Sequence, residues 1–211
     1  EIALLSLGIA GSGFIVSLFT LYYSHLRPPI LHTSVGPYIK IYHSDYHKGM
    51  GTSLYVPMSF YNRSNRASIV EKVGIELYRH AEPQKRYFMH WEAFAEYQIE
   101  LGAWRWKEMA HSLPVLGKSS VQKTAWFCWS ARNDERLVLL EGKYTVDTLF
   151  WFEGKSVPQR EHHEFQIDAE IASDLENHRE SQKRTTISVT IDKEMESNKF
   201  MSAHEAQKLL G

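Results

Sequence analysis

The sequence predicts a mainly β protein: an N-terminal transmembrane helix followed by an antiparallel, immunoglobulin-like β-sandwich, with a short helix and one extra strand near the C-terminus. Three observations predict it. Ile2 to Tyr23 contains no Asp, Glu, Lys, Arg or His. Beyond Pro28 the dominant pattern is alternation of apolar and polar residues, the period of a half-buried strand. Turn residues interrupt that alternation often, as in sandwiches built from short antiparallel strands. The expected boundaries are a transmembrane helix over 1–26, a junction over 27–36, the sandwich over 37–192 and a polar tail over 193–211.

At about 1.5 Å per residue the charge-free run reaches ~33 Å, enough to cross a hydrocarbon core of ~30 Å. A cleaved signal peptide has a shorter apolar region, with small residues before the cut. This run ends instead in Tyr22, Tyr23, His25 and Arg27, aromatic and basic groups that favour headgroup depth. Pro28 and Pro29 then stop the helix. The chain opens on Glu1 rather than Met, which leaves room for residues upstream. Small residues recur four apart at Gly8/Ser12 and Gly13/Ser17, so each pair shares a face where a second helix can approach closely. These four are the helix-packing candidates. Arg27 and Lys40 follow the helix and only Glu1 is visible before it. The positive-inside rule therefore favours a single-pass protein of the cell membrane with a cytoplasmic domain, the periplasmic side being the alternative.

Ile30 to Tyr42 offers one or two strands broken at Gly36-Pro37. Leu54, Val56, Met58 and Phe60 line one face of the next strand. Pro57 within it cannot donate to a ladder, which predicts an edge strand or a bulge. Asn62 to Arg66 is a turn, and Ile69 to Tyr78 carries Val73, Ile75 and Leu77 inward. Trp91 to Leu101 can be written as a helix with Glu92, Glu96 and Glu100 along one face. After a turn at Leu116-Gly117-Lys118-Ser119, Val121, Ala125, Phe127 and Trp129 share a face. Tyr144, Val146, Thr148, Phe150 and Phe152 point inward from the following strand. Gly142 just ahead of Tyr144 has the form of a tyrosine corner, whose hydroxyl is tied to nearby backbone. Glu161 to Ile167 returns as a partner strand. Asp168 caps a helix over Ala169 to Arg179, Thr185 to Ile191 is one more strand, and Ala203 to Leu210 can form a short helix.

Four segments carry a resemblance: Leu26-Arg27-Pro28-Pro29, Leu54-Tyr55-Val56-Pro57-Met58-Ser59-Phe60-Tyr61-Asn62, Leu113-Pro114-Val115-Leu116-Gly117-Lys118-Ser119-Ser120 and Glu141-Gly142-Lys143-Tyr144-Thr145-Val146. On these the chain resembles a diffuse group of uncharacterised bacterial single-pass membrane proteins with an immunoglobulin-like domain. The resemblance covers most of residues 1–167 and implies an architecture. It brings no activity and no site residues with it.

Lys+Arg 24 against Asp+Glu 25 gives a formal net charge of −1. With no basic surplus, phosphate-backbone binding is not the expected task, so no nucleic-acid partner is expected. One cysteine, Cys128, excludes an intramolecular disulfide framework. It reads as a small buried apolar residue rather than a nucleophile. The best metal candidates by spacing are His43-x-Asp45-x-His47 and His162-His163 with Glu161 and Glu164. On a strand, residues four apart stand ~13 Å from one another and adjacent ones face opposite ways, so no metal site and no cofactor are expected. Glu92, Glu96 and Glu100 suit a solvated helix face better than a glycosidase pair. No nucleophile elbow, P-loop or dinucleotide motif is present.

The most unusual soluble stretch is the aromatic belt Tyr87, Phe88, Trp91, Phe94, Tyr97, Trp104 and Trp106. Trp and Tyr concentrate at interfaces, which makes Trp91, Trp104 and Trp106 the partner-surface candidates. If the segment is extended, Trp104 and Trp106 share a face and Arg105 and Lys107 mark the wetter one, with one ring expected to dock and the other to pack. The expected protein is a non-catalytic interaction module, an accessory or structural subunit of a membrane assembly. Its partners would be membrane lipid and other transmembrane helices or a membrane protein complex. The alternative is a membrane-tethered, carbohydrate-type ligand-binding sandwich, and the third a hydrolase with a His/carboxylate site.

Overall fold

The computed structural model describes residues 2–44, 49–101, 103–133, 135–191 and Gln207, with side chains left undescribed at 2–10, His25 and Leu101. Helix α1 (Ile2–Leu21) runs into a single π-helical turn, Tyr22–Leu26, closed by a hydrogen bond from the Arg27 N–H to the Tyr22 carbonyl at 2.8 Å. The Arg27 guanidinium lies 5.6 Å from the centre of the Tyr23 ring. Among the described residues no helix is long and apolar enough to cross a membrane.

Among the described residues eleven strands follow: β1 (Leu31–Val35), β2 (Tyr38–Ser44), β3 (Gly51–Asn62), β4 (Ser68–Arg79), β5 (Arg86–Gln98), β6 (Ala103–Met109), β7 (Leu113–Val115), β8 (Ser120–Trp129), β9 (Gly142–Phe152), β10 (Gln159–Ile167) and β11 (Ile187–Thr190). Helix α2 (Ala169–Glu180) stands between the last two strands. The Asp168 carboxylate accepts from the Ile171 N–H at 2.8 Å, the expected N-cap. The protein is mainly β and its ladders are antiparallel, as the alternation predicts. The sheet begins at Leu31, inside the stretch 27–36 expected as a junction. The expected helix over Ala203–Leu210 falls, Gln207 apart, outside the described residues.

Among the described residues the strands join into one continuous 11-stranded sheet. The ladder runs β10-β9-β4-β5-β8-β3-β2-β11. Strand β5 pairs with β4 through Arg86–His90 and with β8 from Trp91 to Ala95, shifting register between Trp91 and Ala93. A bridge from Phe165 to Ile191 then joins β10 to the residue after β11. Gln159 of β10 donates to the Thr33 hydroxyl of β1, and that hydroxyl donates to Glu161. The result is a barrel-like sheet whose two end strands meet, so that fewer edges are left to pair with other chains.

Inside lie the residues the alternation selects: Leu54, Val56, Met58 and Phe60 from β3, Val73, Ile75 and Leu77 from β4, and Val146, Phe150 and Phe152 from β9. Two expectations are corrected. Strand β3 is central, flanked by β1 and β2 on one side and β8 on the other. Pro57 is tolerated because its backbone faces the break between β1 and β2: its carbonyl accepts from Gly36 at 3.0 Å, and N and O of one strand residue point the same way. The stretch from Trp91 to Leu101 is strand β5 plus a 3-10 turn (Ile99–Leu101), not a helix. Ladders on both sides of β5 outweigh a weak local preference set by three glutamates. The Tyr144 hydroxyl donates to the Leu140 carbonyl at 2.9 Å, so the tyrosine corner is present.

Candidate interaction site on the aromatic hairpin

Both faces of β8 are apolar. Ala125 and Phe127 enter the main core, while Trp126 and Cys128 point the other way. With Tyr42, Tyr55, Ala93 and Ala95 they form a second buried cluster on the outer face of the sheet. The β5–β6 hairpin covers it. Pairing of β5 with β8 ends at Ala95↔Thr124, while β5 and β6 continue together to Gln98↔Ala103. The freed hairpin reaches across β8 to β3. Trp104 stacks on Tyr55 at 5.1 Å, Tyr55 stacks on Tyr42 at 4.8 Å, and Trp106 lies tilted against Trp126 at 4.7 Å. The Tyr55 hydroxyl donates to that of Tyr42 at 3.0 Å. Burial pushes both hydroxyls to higher pKa, so the pair stays neutral and serves packing.

The hairpin also leaves much apolar surface in solvent. Tyr97 is 50%, Ile99 86%, Trp106 51% and Met109 68% exposed. Among the described residues β6 pairs with β5 alone, so its second edge of N–H and C=O groups is open. Glu96 and Lys107 form a cross-strand ion pair at 2.7 Å, which holds the lysine pKa up and the glutamate pKa down.

Between the hairpin and strands β3 and β8 lies a cleft of about 500 Å³, lined by Trp104, Tyr97, Glu96, Lys107, Gln122 and Lys123 among others. The Trp104 indole N–H is buried and has no acceptor among the described residues.

The three partner-surface candidates separate. Trp91 is half-buried against the main core and packs edge-on to Phe94 at 5.2 Å. Trp104 is half-buried in the second cluster, and Trp106 is the exposed ring. Ile99, Met109, Tyr42, Tyr55 and Trp126 belong to this site and were not singled out from sequence, although apolar residues on both faces of β8 signal a covered outer face. On α1, Gly8 lies outside the described side chains, while Ser12, Gly13 and Ser17 are exposed. The Ser17 hydroxyl donates to the Gly13 carbonyl at 2.8 Å.

Of the histidine clusters, Asp45 and His47 lie outside the described residues. His43 is fully buried beside Arg179, and burial first, then that positive charge, push its pKa down to about 4. His162 and His163 face opposite ways: His162 reaches Asp147 at 2.8 Å and His163 sits near Glu161 at 3.7 Å. Among the described residues no three His, Cys, Asp or Glu are grouped to hold a metal ion. Burial raises the Cys128 thiol pKa, which disfavours the reactive thiolate.

No protein-family profile and no curated protein sequence matches the chain. Among solved structures it is similar to Spo0M, a sporulation control protein from Bacillus subtilis, at 12% identity with a TM-score of 0.31, over 72% of this chain and 54% of that one. The chain thus spans about half the length of that protein.

Proposed function

We propose that this protein is a non-catalytic interaction module, tethered to the membrane by α1, that docks a partner protein of a membrane assembly through the β5–β6 hairpin. The observation that carries the reading is that the hairpin is anchored yet partly exposed. Ring stacking on a buried cluster fixes it, while Tyr97, Ile99, Trp106 and Met109 remain half or more in solvent beside an open strand edge. Rigid aromatic anchors ringed by polar groups are the usual composition of an interface centre, and an open edge accepts an added strand. The charge-free sequence from Ile2 to Tyr23 supports the tether. The Tyr144 corner supports reading the sheet as an immunoglobulin-like sandwich whose edges have closed.

Gentle detergent extraction of the full chain, followed by identification of co-purifying proteins, tests the reading. Ile99→Ser and Trp106→Ala are expected to lose the partner while staying folded, with melting temperatures within about 4 °C of the wild type. Undiminished capture by both variants contradicts a hairpin interface.

A second reading has its own observation. The cleft beneath the hairpin combines a tryptophan, two lysines, a glutamate and an indole N–H lacking an acceptor, which suits a small polar ligand such as a sugar. Saturation-transfer NMR with simple sugars distinguishes the two, since contact with ring protons that Trp104→Phe abolishes favours the ligand.

A further inference from the structure

The end of the barrel where the chain leaves α1 differs in charge from the opposite end. Only Arg27, Pro28, Pro29 and Ile30 separate the π-helical turn from β1, so the start of β1 lies within about 18 Å of the helix terminus. Pairing places three loops at this same end. Leu31 is opposite Asn62 and Tyr61 is opposite Ser120; Ser68 is opposite Val115 and Val70 opposite Phe152. Residues 62–67, 116–119 and 153–158 therefore surround the first residue of the sheet.

Their exposed groups are of two kinds. Ile30, Tyr61, Leu116 and Val157 are apolar, with Leu116 65% and Val157 74% exposed. Arg63, Arg66, Lys118 and Lys155, with Arg27 before them, are basic, against Glu153 alone. Among the described residues none of these five cations has a carboxylate partner. At the far end, Arg79, Lys85 and Arg179 each pair with a glutamate.

The surface is also preformed. The buried Asn62 amide donates to the Arg66 carbonyl at 2.7 Å and the Val115 carbonyl at 3.0 Å, while its oxygen accepts from Ser64. Lys118 donates its N–H to Ser64 at 2.9 Å from a backbone φ of +56°, a conformation that side-chain-bearing residues rarely adopt. A Cβ on Gly117 would lie 2.1 Å from the Asn65 carbonyl oxygen, so the two loops close on each other with no room for a side chain.

We infer that this end of the barrel rests on the bilayer and binds anionic lipid headgroups through Arg63, Arg66 and Lys118, with Leu116 and Val157 entering the interface. The inference rests on the membrane tether proposed above. Basic groups beside an anionic leaflet are each attracted to it, and apolar tips between them add burial at the headgroup boundary.

The test uses the full chain in phosphatidylcholine vesicles, with and without about one-third phosphatidylserine. A fluorophore is attached at Leu116→Cys, or at Leu140→Cys on the far end, in a Cys128→Ser background. Collisions with a water-soluble quencher are expected to fall about threefold or more at position 116 on the anionic vesicles, and not at 140. Raised salt, or Arg63→Gln with Arg66→Gln and Lys118→Gln, is expected to restore them. A label at 116 that stays as accessible as one at 140, on a chain that resists carbonate, overturns the inference and leaves the tether standing. Release of the chain by carbonate overturns both.

Discussion

His43 is the residue whose chemistry reaches furthest into stability. Buried beside Arg179, it is held near a pKa of about 4, against 6.5 when exposed. Between those values the unfolded chain takes up a proton that the folded chain refuses, so stability falls as pH drops from 6.5 towards 4. Above 6.5 it is flat with respect to this group, and below 4 the loss is complete, at ~3 kcal/mol. Urea melts at several pH values are expected to show that slope, and His43→Gln to flatten it; an unchanged slope means another group titrates. Tyr144 makes a simpler case. Its hydroxyl, pushed up to about 12 by burial, donates to Leu140, and Tyr144→Phe is expected to cost about 1 kcal/mol by the same melts. The corner is legible in sequence because glycine and tyrosine stand two apart at a strand start. The role of His43 is not, because Arg179 arrives from a helix far along the chain.

At the scale of elements, the strands most legible in sequence are those whose core-facing residues recur at every second position. In β3, β4 and β9 the alternating residues named from sequence are the core. Strand β5 reads ambiguously because rings occur at both parities and its glutamates recur at a helical interval. Only its pairing with β4, β6 and β8 settles its form. The cluster beneath the hairpin is hidden in the sequence for a related reason: Trp126 and Cys128 share β8 with Phe127, and alternation assigns one face alone to the core. The hairpin account makes the two tryptophans unequal. Trp104→Ala is expected to destabilise by about 3 kcal/mol, since it empties a stack on Tyr55. Trp106→Ala is expected to cost about 1 kcal/mol or less, its ring being half in solvent. Equal and severe losses in thermal melts mean that the hairpin is core on both sides.

The whole molecule joins a charge-free helix, a short proline junction and a barrel-like sheet whose β5–β6 hairpin leaves β8 after Ala95. Closure joins residues far apart in sequence, Phe165 to Ile191 and Thr33 to Glu161, and no local pattern foretells such pairs. Nor does local pattern foretell the cleft, which exists because β5 leaves β8 after Ala95. The proposed tether predicts that the full chain stays in the membrane pellet through high-salt and carbonate washes, and quantitative release contradicts it. The central claim joins that tether to the hairpin, and site-specific photocrosslinking in intact membranes tests both together. A crosslinker at position 106 is expected to yield a discrete adduct with one membrane-fraction protein, absent with the crosslinker at 140 and lost on Ile99→Ser. Adducts of equal yield from 106 and 140, or none from either, contradict the claim.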